Sequence, residues 1–79
     1  MPRYFFDTDD GQHLIKDDEG LDLYSLHEAR LQAQAALADM ARDTVPGDGP
    51  RRTMTCRVRD ESGKVVLLAS LVLMIQENP

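Results

Sequence analysis

The chain has 79 residues, 42% of them hydrophobic and 29% charged, which predicts a single globular domain over residues 1–79 rather than a disordered segment. Fourteen acidic and nine basic residues give a net charge of −5. This charge disfavours nucleic acid as a partner, because binding it depends on neutralising phosphates. The longest apolar stretch is far short of the roughly 20 residues of a membrane-spanning helix, and the N-terminus lacks a secretory pattern. We therefore expect a cytoplasmic protein with no membrane segment.

The N-terminal third predicts a β-hairpin. Residues 3–8 hold three of the four aromatic side chains, and aromatic residues favour strands. The turn sequence Asp9-Asp10-Gly11 follows, and residues 12–16 then predict a short second strand. A second polar turn at residues 17–20 leads towards a helix.

The helix start is the clearest local signal. Ser25-Leu26-His27-Glu28 fits a capping box, in which the serine hydroxyl accepts a backbone N–H and the glutamate reaches back to the N-cap N–H. In a helix each residue is rotated by about 100° from the one before it, which places a set of mainly apolar residues on one face. They are Leu26, Ala29, Ala33, Ala36, Leu37, Met40 and Thr44. The proline- and glycine-rich residues 45–50 predict the end of the helix.

Two strands are predicted after the helix. Residues 53–60 alternate, with Met54, Cys56 and Val58 facing inward. Glu61-Ser62-Gly63 supplies a hairpin loop, and residues 65–75 form an apolar run interrupted only by Ser70. The β-branched residues of this run and its entry from a tight turn favour a strand over a helix.

These elements predict an α+β fold of the type ββαββ. It consists of a four-stranded, mainly antiparallel sheet with one helix packed on one face. The predicted strands are ordered 2-1-3-4 or 2-1-4-3 in chain order.

The final strand predicts association into a homodimer. Both of its alternating sets are apolar, whereas one amphipathic helix covers only one face of a small sheet. A domain of this size is also marginal as a monomer. We expect the interface on the set Val66, Leu68, Val72 and Met74. If the strand turns its other face outward, the odd-numbered residues form the interface instead.

Basic side chains concentrate in one region, at Arg51, Arg52, Arg57 and Arg59. Their simplest interpretation is a solvated face that discourages aggregation of a strand. The alternative is a docking surface for the acidic N-terminal half of a partner, since eight of the fourteen acids lie in residues 1–28.

No motif predicts catalysis, a cofactor or a metal. The acidic turn from Asp7 to Gly11 lacks the ligand spacing of a calcium loop, and His13 and His27 lack zinc-ligand spacing. Cys56 lies on the inward face of its strand, where a thiol acts as a small hydrophobe. We expect no catalytic, cofactor-binding or metal-binding residues.

Several segments carry a family resemblance. PRYFFD at the start, D-x-E-G at residues 17–20, the helix start Glu28-Ala29-Arg30 and the hairpin R-D-E-S-G-K resemble a family of short uncharacterised proteins of rhizobia and related alphaproteobacteria. That family is a domain of unknown function, so the resemblance implies no reaction. The pattern D-G, E-G and S-L-x-E-A-x-x-x-A-x-x-A-L within residues 9–40 is similar to HicB-type antitoxins, which implies binding to a small RNase toxin.

Three functions follow as hypotheses. The first is a non-catalytic protein-interaction or regulatory module that acts as a homodimer. The alternatives are a HicB-like inhibitor of a cognate toxin and a small metal-dependent enzyme that uses the acidic turns.

Overall fold

The computed structural model describes residues 1–43 and 51–78. The strands are β1 (Arg3–Asp9), β2 (Leu14–Ile15), β3 (Leu21–Asp22), β4 (Arg51–Arg59) and β5 (Val65–Met74), and the helix α1 spans Leu26–Arg42. All strand pairs are antiparallel, in the order β2-β1-β4-β5, and β3 pairs with β1. The α+β fold with one helix packed on the sheet is confirmed. The third and fourth predicted strands are β4 and β5, so the observed order corresponds to the predicted order 2-1-3-4.

The second strand is shorter than predicted. Residues 12–16 were expected to pair, but only Leu14 and Ile15 do so. Carboxylates of the turn accept the backbone N–H groups of residues that follow them: Asp9 accepts from Gly11 at 2.8 Å, and Asp10 accepts from Gln12 and His13 at 2.9 and 2.7 Å. Because these side chains replace strand partners, the turn extends to residue 13.

The sequence prediction also missed β3. Leu21 and Asp22 pair with Tyr4 and Arg3, on the same edge of β1 that β2 occupies nearer its other end. A two-residue strand has too little periodicity to be seen in a sequence.

Ser25 caps α1 as predicted, because its Oγ accepts the N–H of Glu28 at 3.4 Å. The reciprocal bond differs from the prediction: the Glu28 carboxylate accepts the N–H of Tyr24 at 2.8 Å, rather than that of Ser25. The predicted helix end at residues 45–50 and Thr44 lie outside the described residues.

The core lies between α1 and β4. Its buried residues are Ala29, Ala33 and Leu37 from the helix and Met54, Cys56 and Val58 from the strand. The inward face predicted for β4 is confirmed. Alanine at two of the three helix positions lets α1 lie close to the sheet.

Candidate functional site

The strand β5 forms one open edge of the sheet and carries the candidate interaction site. It pairs with β4 along nearly its whole length, and no described strand covers its other side. The apolar side chains exposed along this edge are 39–60% accessible; they are Val65, Leu68, Leu71, Val72, Leu73, Met74 and Ile75. We call them the β5 edge set. Long apolar edges of this kind are surfaces on which another strand can pair.

A bulge sets which side of the sheet each β5 residue faces. Val58 pairs with Leu67, but Arg59 pairs with Val65, so Val66 is the extra residue. Val66 and Leu67 both pack against the core on the helix side. Past the bulge, residues opposed across an antiparallel pair share a face. Leu71 therefore lies on the helix side, opposite Met54.

The predicted interface residues are thus divided. Leu68, Val72 and Met74 lie on the outer face, away from α1, opposite Arg57, Thr53 and Arg51. Val66 is half-buried beside the core, because the bulge places it on the helix side of the sheet together with Leu67. The odd-numbered set is also accessible at its C-terminal end, so both faces of β5 are exposed there. Their role in an interface stays a prediction.

A groove runs between α1 and β5. It has a volume of about 480 Å³ and is lined by Arg30, Gln34, Leu37 and Ala38 of the helix and by residues 67–71 of the strand. Its strand side is almost entirely apolar, whereas its helix side carries polar groups. The groove therefore continues the apolar surface of β5 towards the helix.

The opposite edge of the sheet is closed, and Asp17 closes its middle. Between the segments of β1 that pair with β2 and β3, the Asp17 carboxylate accepts the N–H of Phe6 at 3.0 Å. The same carboxylate accepts the N–H groups of Glu19 and Gly20 at 3.0 and 3.1 Å. Burial opposes ionisation of Asp17, but these three hydrogen bonds outweigh it and lower the pKa of this carboxyl.

An ion pair between buried Asp7 and half-buried Arg59 holds this loop against the sheet. Asp7 is 9% exposed, and both of its oxygens accept from the Arg59 guanidinium, at 2.7 and 3.1 Å. Arg59 also donates to the Asp17 carbonyl at 2.9 Å and lies 5.1 Å from the Phe5 ring centre. The hydrogen bond from Arg59 lowers the pKa of Asp7 despite its burial. The D-x-E-G pattern forms this loop, in which the Asp17 carboxylate accepts the N–H groups of Glu19 and Gly20.

The predicted arginine cluster is not a single surface. Arg59 is engaged with Asp7, and Arg52 forms an ion pair with Asp10 at 3.5 Å. Arg51 and Arg57 are exposed on the outer face beside β5. The role of all four in docking a partner stays a prediction.

The groups considered for chemistry lie apart. Among the described residues, no group of three or more histidine, cysteine or carboxylate side chains could hold a metal ion. Cys56 is fully buried, and its burial raises the pKa of the thiol, which keeps it protonated. No helix in residues 1–43 and 51–78 is long and apolar enough to cross a membrane.

Fold and site together define a small α+β protein with one closed and one open sheet edge. The chain belongs to the family described as Domain of unknown function (DUF6894), whose model matches residues 3–72. No curated protein and no solved structure matches the chain. The predicted membership of a family of unknown function is confirmed, whereas neither a rhizobial origin nor a likeness to HicB-type antitoxins is shown.

Proposed function

We propose that this chain is a non-catalytic protein-interaction module that acts as a homodimer and makes its contact through β5. The observation that carries the proposal is the β5 edge set. A strand of ten residues exposes apolar side chains on both faces at its C-terminal end and contains no charge. Soluble proteins ordinarily protect such an edge with charges, prolines or a covering element.

The exposed apolar side chains of β5 supply free energy for association. Full burial of one aliphatic side chain contributes about 1.5–3 kcal/mol, so covering the exposed half contributes about 0.75–1.5 kcal/mol. The seven members of the β5 edge set, counted in two chains, give an upper limit of about 10–20 kcal/mol. Association opposes this with about 4–15 kcal/mol. A stable dimer therefore requires that most of the set be covered.

Light scattering at micromolar concentrations tests the proposal. The unmodified chain should have the mass of a dimer. Val72→Lys should give monomers, because Val72 is 46% exposed and a lysine there cannot make the apolar contact with the second copy. Val72→Ile should remain dimeric.

The matched control is Leu31→Lys. Leu31 is 51% exposed on α1, on the side of the helix turned away from Ala29, Ala33 and Leu37. This change adds the same charge away from β5, so it should leave the mass unchanged. An unmodified chain that is monomeric throughout would refute the homodimer, and equal loss of the dimer in both lysine variants would refute β5 as the contact.

A further inference from the structure

We infer that the second copy joins edge to edge, with its β5 antiparallel to the first β5 and a two-fold axis at Ser70. The two sheets then form one continuous sheet with both helices on the same face. This inference rests on the proposed homodimer and specifies its geometry. Three observations support it, namely the polar outer face of β4, the closed edge at β1, and the sequence around β5.

The outer face of the sheet does not fit a face-to-face dimer. Beside Leu68, Val72 and Met74, the outer positions of β4 hold Arg51, Thr53, Thr55 and Arg57. A partner laid flat on this face would desolvate arginine side chains. It would also leave Leu71, Leu73 and Ile75 uncovered. Leu71 and Leu73 lie on the helix side of the sheet, and Ile75 lies beyond the end of β5. Pairing at the edge binds the backbone groups of β5 that no described strand pairs, and it sets the side chains of both faces beside apolar side chains of the second copy.

The two edges of the sheet differ sharply. At β1, two short strands and the Asp17 carboxylate bind the outward backbone groups. At β5, the residues from Val65 to Ile75 contain no charge and no proline. The strands β2 and β3 that end the sheet on the other side have two residues each, so β5 is the described edge strand long enough to pair with a second copy over many residues.

The register follows from symmetry and from the length of the apolar run. In a continuous sheet, opposed residues share a face, so their numbers are both even or both odd, and the axis passes through a residue. Beyond the bulge at Val66 this rule holds for Leu67 to Met74, whose middle lies between Ser70 and Leu71. With the axis at Ser70, Leu68 lies opposite Val72 of the second copy, and Ala69 lies opposite Leu71. An axis at Leu71 would instead set Ser70 opposite Val72, and single-cysteine cross-links distinguish the two.

Charge agrees with this register. Lys64 precedes the apolar run and Glu77 follows it. Antiparallel pairing about the middle of β5 brings Lys64 of each chain to the end of the other β5 that Glu77 follows. A parallel arrangement would instead place lysine beside lysine and glutamate beside glutamate, which is unfavourable.

The helices leave room for this arrangement. Because α1 packs mainly on β4, each helix lies about one and a half strand spacings from the axis. With strands about 4.8 Å apart, the two helix axes are about 14 Å from each other. This exceeds the 8–10 Å of packed helices, so the second copy meets no steric obstacle. The grooves beside Gln34 of each chain would then face one another across the axis.

Single cysteines test the register. Ser70→Cys should oxidise to a covalent dimer, because a residue on the axis lies opposite itself at disulfide distance. Val72→Cys should not, since its two copies lie four residues apart, about 13 Å along the strands. Mixing Leu68→Cys with Val72→Cys should give the cross-linked mixed pair. The unmodified chain is the control, because its one thiol at Cys56 is buried.

Hydrogen exchange separates edge pairing from face-to-face contact. Edge pairing should slow exchange of alternate β5 amides by about tenfold or more as the protein concentration rises through the dissociation constant. A dimer whose β5 amides exchange at a rate independent of concentration would overturn the inference, even with a Ser70 cross-link. A dimer that cross-links at Val72 and not at Ser70 would overturn the register. Either result leaves the proposed homodimer intact, whereas a monomeric protein would overturn both.

Discussion

Replacing Asp17 by alanine should destabilise the domain more than its position in a polar turn suggests. The Asp17 carboxylate accepts N–H groups from its own loop and from Phe6 in the middle of β1. Asp17→Ala removes all three acceptors. Water can replace the acceptor at exposed Glu19, but the N–H groups of Phe6 and Gly20 are partly buried and lose a partner.

The size of the effect follows from these two donors. A partly buried donor without a partner costs about 1 kcal/mol at the low end of the known range, so Asp17→Ala should lower the free energy of unfolding by about 2 kcal/mol. A domain of this length has a total of about 4–12 kcal/mol. In a domain of this size the loss corresponds to a fall in Tm of about 8–16 °C.

Thermal melts followed by circular dichroism, at one fixed protein concentration, measure this change. The matched control is Asp18→Ala, which removes the same group from the adjacent exposed position. Asp18→Ala should change Tm by less than a few degrees. Equal shifts in the two variants would refute the role of Asp17 as the closing group of the β1 edge.

Three further predictions concern local structure and pH. Ser25→Ala should lower stability by about 1 kcal/mol through loss of the helix cap, whereas Ser25→Thr should retain most of it. Gly20→Ala should cost at least 1–2 kcal/mol, about the strain of a left-handed residue, because Gly20 has φ +73° and a Cβ there would lie 2.9 Å from a β1 carbonyl oxygen. Gly63→Ala should cost less, since its Cβ would meet no atom within 4 Å. The lowered pKa values of Asp7 and Asp17 predict stability that is complete above their ordinary value of 3.8 and lost as the pH falls through the lower folded pKa.

The same melts check these three predictions. A Tm unchanged by Ser25→Ala would show that the helix begins elsewhere. Equal losses at Gly20 and Gly63 would contradict the close approach to β1. For the acid transition, Asp17→Asn should show a shallower fall of Tm from pH 5 to pH 3 than the unmodified chain, and parallel curves would contradict the linkage.

Periodicity predicted the core because burial repeats with the geometry of each element. The alternation of β4 identified Met54, Cys56 and Val58, and the helical spacing identified Ala29 and Ala33. In a regular strand or helix the residues on the buried face recur with the period of that element. The spacing of apolar residues in the sequence therefore identifies the buried face directly.

The features that the sequence did not reveal depend on interruptions or on long-range bonds. The bulge at Val66 breaks the regular alternation, so the predicted outer set included a residue that packs against the core. The partner of Asp17 is a backbone N–H at Phe6, eleven positions away, and a backbone donor carries no sequence signal. The ion pair of Asp7 and Arg59 spans 52 positions, and neither side chain shows in the sequence which opposite charge it meets. The exposure of β5, by contrast, was visible in its composition.

The closed edge at β1 sets a limit on stoichiometry. A sheet with two open edges can add copies at both sides without end, which leads to fibres. Here Asp17, with Asp7 and Arg59 behind it, removes one of the two growth sites. In the proposed dimer, pairing through β5 about a two-fold axis uses the remaining site of both copies at once. Assembly through this strand would then terminate at two chains, because the loop held by the ion pair of Asp7 and Arg59 blocks the edge of β1.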